Sequence, residues 1–153
     1  MQHILIATDG SAGAMLAVEE GVWLAKTVGA DVVFVSVARA PLPVFGDPYY
    51  QRALTSDLAK VRAALSAAVD VADERHVAHE TEILEGDAAE AILRLARQRD
   101  VDLIVVGSRG RGGVTGAVLG SVSTEIVHRA DRPVLVARPG RRTTARVDHR
   151  LAV

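Results

Sequence analysis

Several residue types are absent or rare in this chain of 153 residues, and each absence removes a class of function. There is no cysteine, which excludes thiol catalysis, disulfide bonds and thiolate metal sites. Aromatic residues make up only 3% of the chain, which argues against a stacking platform for single-stranded nucleic acid. The net charge of -1 gives no general attraction to nucleic acid or to an anionic membrane.

Long apolar runs are absent as well. No stretch reaches the roughly 18 apolar residues of a membrane-spanning helix. The first residues, MQHILIATD, lack the basic start and the cleavage site of a signal peptide. These features predict a soluble cytoplasmic protein with no membrane partner.

The chain does contain short apolar runs that alternate with longer stretches of helical spacing, a pattern typical of βαβ units. Because 49% of its residues are hydrophobic and few are aromatic, the core must be aliphatic, which suits a buried parallel sheet. Glu80 and Glu82 mark the third strand as a sheet edge. We predict one α/β domain over residues 1–138 and an arginine-rich mobile tail over 139–153. The predicted strands cover about 3–8, 31–37, 77–84, 102–106 and 133–137, and the helices about 12–28, 50–75, 87 onward and 121–130.

The most informative segment is the glycine-rich loop, residues 107–120, between the fourth predicted strand and the fourth helix. It holds six of the 13 glycines. Glycine allows a ligand to approach the backbone closely, and successive N–H groups form a nest for anions. The start of the following helix adds further donors and a positive partial charge, and Ser121 and Ser123 add hydroxyl groups. This combination suits a polyphosphate, which Arg109 could also contact.

Asp9 follows the first strand directly. In an open parallel sheet, ligands bind beyond the carboxyl ends of the strands where the winding direction reverses. If strands one and four are neighbours there, Asp9 and the glycine-rich loop face one crevice, where a carboxylate suits a ribose hydroxyl or Mg²⁺. The alternative roles are a turn or a helix N-cap for Asp9, and an N-cap for Ser121.

From Ile4–Ser11 to Pro133–Val136 the chain resembles the universal stress proteins. Gly107, Gly110, Gly120 and Ser121 fill every position of the nucleotide motif of the ATP-binding branch of that family, in which two and then nine residues separate the glycines. The resemblance implies an open sheet of five parallel strands in the order 3-2-1-4-5, with helices on both faces. It also implies a homodimer paired through Val134–Val136.

The resemblance further implies that Asp9 is the acidic residue after strand one and that the Val37 backbone meets the adenine. The residues expected to bind the nucleotide are Ala7, Thr8, Asp9, Val37, Val106, Gly107, Arg109, Gly110, Gly120, Ser121, Val122 and Ser123. The resemblance implies a stress-response regulator that binds ATP, with the nucleotide tuning its conformation, dimerisation or partner choice. The only lysines, Lys26 and Lys60, lie outside any phosphate loop, which argues against an efficient enzyme. The alternatives are a slow Mg²⁺-dependent ATPase, a binder of AMP or cyclic AMP, and an interaction module that needs no nucleotide.

Overall fold

The computed structural model describes residues 1–38, 47–110 and 119–139, with no side-chain detail for residues 47–51 and 53. Its strands are β1 (His3–Ala7), β2 (Asp31–Ala38), β3 (His79–Glu85), β4 (Leu103–Gly107) and β5 (Val134–Ala137). Its helices are α1 (Ala12–Val28), α2 (Asp47–Glu74), α3 (Ala88–Gln98) and α4 (Ser121–Arg129). The predicted tail beyond residue 139 lies outside the described residues, as does most of the glycine-rich loop, residues 111–118.

The five strands form one parallel sheet in the order β3-β2-β1-β4-β5. Ile4 is paired with Val32 of β2 on one side and with Leu103 of β4 on the other. The predicted α/β fold and strand order are therefore confirmed. The winding direction reverses between β1 and β4, so a crevice is expected at the carboxyl ends of these two strands.

The side chains of each strand alternate between two apolar layers, because successive residues of a strand point to opposite faces. Ile4 and Ile6 pack with residues of α1 and α2, whereas Leu5 packs with residues of α3 and α4. All three are fully buried. Each such aliphatic side chain contributes about 1.5–3 kcal/mol when it leaves water, which is how a core with few aromatic residues becomes stable.

Two predicted boundaries are wrong for local reasons. The third strand begins at His79 rather than at residue 77, because Val77 still donates its N–H to the Ala72 carbonyl at the end of α2. His76, with φ of 54°, makes that turn left-handed. Helix α2 begins at Asp47, three residues before the predicted start, and so includes Pro48. Proline is tolerated in a first helical turn because its missing N–H would have no partner there.

Candidate functional site

The end of β1 and the start of the glycine-rich loop lie against each other. A Cβ added to Gly110 would stand only 2.7 Å from Oδ2 of Asp9. The side chain of Asp9 is partly buried, whereas Arg109 and Gly110 are exposed. The pairing of β1 with β4 therefore brings the predicted carboxylate and the predicted loop to one place at the carboxyl edge of the sheet.

Asp9 belongs to a tight turn between β1 and α1. Its Oδ1 accepts the Ser11 N–H at 3.0 Å, and Thr8 Oγ1 accepts the Gly10 N–H at 3.2 Å. Gly10 has φ of 76°, the left-handed conformation that glycine adopts without strain. The N-cap of α1 is Ser11, whose hydroxyl accepts the Ala14 N–H. The turn interpretation of Asp9 is thus correct, and the N-cap interpretation is wrong.

Among the residues that the structure describes, no side chain caps the start of helix α4. Its N-cap is Gly120, so the predicted N-cap role of Ser121 is wrong, and Ser121 is instead the first helical residue. In α1 and α3, by contrast, Ser11 and Asp87 each accept an amide of the first turn. The first amides of a helix have no intrahelical acceptor and carry a positive partial charge. The start of α4 therefore offers backbone donors, beside the exposed Ser121, to an anion.

Both ends of the glycine-rich loop are held by hydrogen bonds around Ser108. The Gly120 N–H donates to the Ser108 carbonyl at 2.8 Å, and the Ser108 N–H donates to the Ala137 carbonyl at 2.8 Å. The buried Ser123 hydroxyl donates to the Gly120 carbonyl at 3.0 Å and lies 3.4 Å from the Ser108 carbonyl. Ser123 thus supports the base of the loop, and its predicted contact with phosphate stays a prediction. The part played by Ser108 was missed, because nothing in its residue type distinguishes it.

The apolar residues of the predicted site share one face of the sheet. Val106 belongs to the core layer between the sheet and helices α3 and α4, and Ala7, Val37 and Val122 pack against that layer. All four lie at or near the carboxyl ends of β1, β2 and β4 or at the start of α4. We refer to these four residues as the apolar wall.

A cleft of about 400 Å³ opens between the first turns of α3 and α4. Ser121 and Val122 line it from α4, and Glu125 stands one turn further along. The opposite wall was not predicted, because it depends on how α3 and α4 pack together. That wall consists of Gly86, Asp87, Ala88 and Ala89.

The three motif glycines differ in what surrounds them. A Cβ on Gly107 would stand 2.4 Å from the Gly13 carbonyl oxygen, and one on Gly110 would meet Asp9. A Cβ on Gly120 would find no described atom closer than 3.5 Å, and its φ of -64° suits any residue. The packing of the described residues therefore requires a glycine at Gly107, whereas the Asp9 side chain could move away from a Cβ on Gly110, and no described contact explains Gly120.

The groups whose pKa values are shifted lie away from this site. At the amino end of β4, the backbone N–H groups of Gln2 and His3 donate to Asp102 and lower the pKa of that carboxyl. At the outer edge of β3, a hydrogen bond to Glu82 and the charge of Glu80 raise the pKa of Arg99.

Within residues 1–38, 47–110 and 119–139, no group of three or more His, Asp or Glu side chains could hold a metal ion. Over the same residues, no helix is long and apolar enough to cross a membrane.

These features define an open α/β domain in which the Asp9 turn and the start of the glycine-rich loop lie at the winding reversal, and comparison with known proteins gives the family. The universal stress protein family matches residues 1–138, and the chain belongs to that family. It is 39% identical over 139 residues to the universal stress protein in QAH/OAS sulfhydrylase 3'region of Thermus aquaticus, covering 88% of this chain and 97% of that protein. It is 34% identical over 140 residues to universal stress protein MJ0531 of Methanocaldococcus jannaschii, covering 90% and 82% respectively.

A solved structure supports the same assignment. The chain superimposes on a universal stress protein crystallised in complex with cAMP, with a TM-score of 0.71 and 25% sequence identity. The match covers 91% of this chain and 98% of that one. The family resemblance seen in the sequence is therefore confirmed, and the fold is one that holds an adenine nucleotide in a related protein.

Proposed function

We propose that this protein binds an adenine nucleotide between Asp9 and the amino end of α4, and that the bound nucleotide regulates its conformation or its choice of partner. The observation that carries the proposal is the start of α4. Among the described residues no side chain caps its first amides, and no described atom lies close enough to Gly120 to require a glycine there. Open space beside uncapped helix amides fits a phosphate group.

Each predicted residue has a role in this arrangement. The amides of Ser121 and Val122 and the Ser121 hydroxyl bind phosphate oxygens, and the exposed Arg109 adds a positive charge. Gly107 and Gly110 keep the loop backbone close to the ligand. The Asp9 carboxylate, held by its turn with Thr8, accepts a ribose hydroxyl. The adenine lies against the apolar wall, which consists of Ala7, Val37, Val106 and Val122.

ATP is the nucleotide we favour, because the loop matches the whole motif of the ATP-binding branch. The cAMP complex of the related protein supports a shared base and ribose site. Mg²⁺ would enter with the phosphates, since it usually keeps several waters and few protein carboxylates, and Asp9 is the nearest candidate for one. A regulatory role is favoured over an efficient ATPase because Lys26 and Lys60 lie on α1 and α2, so neither occupies a phosphate loop.

Calorimetric titration with ATP, with and without Mg²⁺, and then with AMP and cAMP tests this proposal. We expect saturable binding near one nucleotide per chain, with strong loss in Gly120→Ala. Because an added Cβ meets only ordinary contacts, Gly120→Ala should keep its fold, which circular dichroism checks. Unchanged affinity in Gly120→Ala would rule out the site. Release of ADP that Gly120→Ala abolishes would establish the ATPase instead, and no heat with any nucleotide would favour the nucleotide-independent interaction module.

We also propose that the protein forms a homodimer through β5. This strand is the last in the sheet order, and Val134, Leu135 and Val136 are all partly exposed along it. An exposed apolar edge strand can pair with a strand of another chain, and a second copy of this chain would cover it. Sedimentation should give a dimer, and Val136→Lys should shift it toward monomer. A wild-type monomer at all concentrations would contradict this.

We also propose that the nucleotide-binding domain covers residues 1–138 and that residues 139–153 form a tail outside it. If the domain ends there, a chain truncated after Arg138 should bind nucleotide as the full chain does. Weaker binding by the truncated chain would show that the arginine-rich tail contributes to the site.

A further inference from the structure

The first turn of α1 is in contact with the backbone of the glycine-rich loop. A Cβ built on Gly13 would stand 2.4 Å from the Arg109 carbonyl oxygen, so the two backbones touch directly. The Ser11 hydroxyl lies 3.4 Å from the same carbonyl and is placed to donate to it. The loop residue that precedes Gly110 is thus held by a helix that takes no other part in the site.

Gly13 is also packed on its other side. Its carbonyl oxygen is the atom that a Cβ on Gly107 would meet at 2.4 Å. Gly107 is paired with Ala137 in the sheet and cannot shift without breaking that register. Gly13 therefore lies between Gly107, a paired residue of β4, and the backbone of Arg109.

We propose that Ser11 and Gly13 are positioning residues of the nucleotide site, which set the distance between Asp9 and Gly110 by fixing the Arg109 backbone. The proposal rests on the proposed function for the ligand, and on the contacts above for the positioning. A Cβ at residue 13 must displace its neighbour, because carbon and oxygen do not approach to 2.4 Å. Because Gly107 is held by its pairing with Ala137, we expect the displacement to fall on Arg109 and Gly110 and so to change the distance between Gly110 and Asp9.

Two substitutions of glycine by alanine in the same helix separate positioning from stability. Gly13→Ala introduces a methyl group against the loop, whereas Gly21→Ala introduces one against the buried Ile6 side chain. We expect Gly13→Ala to weaken ATP binding by about tenfold, the loss of roughly one charge-assisted hydrogen bond. Gly21→Ala should leave affinity within about twofold while changing the urea midpoint. If Gly13→Ala changes the stability of the protein and leaves its affinity for ATP intact, Gly13 has a structural role alone and the proposal is overturned.

Two substitutions of Ser11 provide a second, independent pair of variants. Ser11→Asp keeps an acceptor for the Ala14 N–H and so keeps the cap of α1, but an ionised carboxylate cannot donate to the Arg109 carbonyl. Ser11→Thr keeps both abilities. We expect Ser11→Asp to bind ATP more weakly and Ser11→Thr to bind as the wild type does. Equal affinity for all three would contradict the role of the hydroxyl.

Limited digestion with trypsin tests the contact between the start of α1 and the Arg109 backbone in the absence of nucleotide. Cleavage after Arg109 should be faster in Gly13→Ala and Ser11→Asp than in the wild type and in Gly21→Ala, because the loop backbone is no longer held. If the wild type binds no nucleotide while these cleavage rates differ as expected, the positioning stands and the proposed function fails. Equal cleavage rates in all four proteins would overturn the positioning.

Discussion

Replacing Gly107 with alanine should destabilise the fold itself, before any ligand is considered. The new Cβ would stand 2.4 Å from the Gly13 carbonyl oxygen, 2.5 Å from the Gly13 carbonyl carbon and 2.8 Å from the Ala14 nitrogen. All three are backbone atoms of α1, so no side-chain rotation can relieve the overlap. The helix and β4 must separate by a large fraction of an ångström.

The expected loss follows from that separation. Inserting a methyl group into a well-packed interior typically costs about 1–3 kcal/mol, and more where a backbone must move. We therefore expect Gly107→Ala to lower the free energy of unfolding by about 3 kcal/mol, a large part of the roughly 5–15 kcal/mol of a whole domain. At about 2–4 °C per kcal/mol for a chain of this size, the melting temperature should fall by roughly 6–12 °C.

Urea unfolding followed by circular dichroism measures this effect, with Gly120→Ala as the matched control. A Cβ on Gly120 meets only contacts of 3.5–3.6 Å, so the control should lose little beyond the modest preference of an N-cap for glycine over alanine. If Gly107→Ala unfolds at the same urea concentration as the wild type, the contact between α1 and β4 is not as close as described, and the separation of fold-required from ligand-required glycines fails.

Three further substitutions test the packing away from the site. Arg132→Met removes hydrogen bonds of 2.8 Å to two carbonyls around the end of α3, so the free energy of unfolding in urea should fall by about 2–4 kcal/mol; a smaller loss would mean that water replaces the guanidinium. Because hydrogen bonds lower the folded-state pKa of Asp102, its contribution is present at neutral pH and is lost as the pH falls below about 4. The loss of stability in Asp102→Asn should therefore be smaller at pH 3 than at pH 7, and an equal loss at both would refute the linkage. In Gly21→Ala, higher helix propensity should add about 1 kcal/mol to the free energy of unfolding, and crowding of Ile6 should remove about 1–3 kcal/mol. A net stabilisation in thermal melts would show that Ile6 rotates away.

Much of the fold follows from patterns in the sequence. Fully apolar runs such as Val32–Val35 identified strands buried on both faces, and the charges of Glu80 and Glu82 identified an edge. The end of α2 did not follow, because Val77 looks like a strand residue and only its hydrogen bond to Ala72 assigns it to the turn. Apolar patterns record which face a residue buries and say little about which backbone partner it takes.

The site was predictable where a motif fixes residue types and less so where packing decides. Asp9 and Gly110 lie together at the carboxyl edge of the sheet, as the sequence predicted. The residue type of Ser121 also suits an N-cap, but that alternative is wrong because Gly120 has the extended φ and ψ of that position. Glu125 and the α3 wall of the cleft were missed because two helices that are distant in sequence form it.

The bond from the Gly120 amide to the Ser108 carbonyl brings the two ends of the glycine-rich loop together beside the end of β4. Closing a loop costs little more as it lengthens, about 0.6 kcal/mol for each doubling. Because backbone groups alone make this bond, changes of side chain between residues 108 and 120 leave the bond itself intact. The tether therefore separates the position of the first α4 amides from the residue types of the loop, which can change in charge without moving those amides.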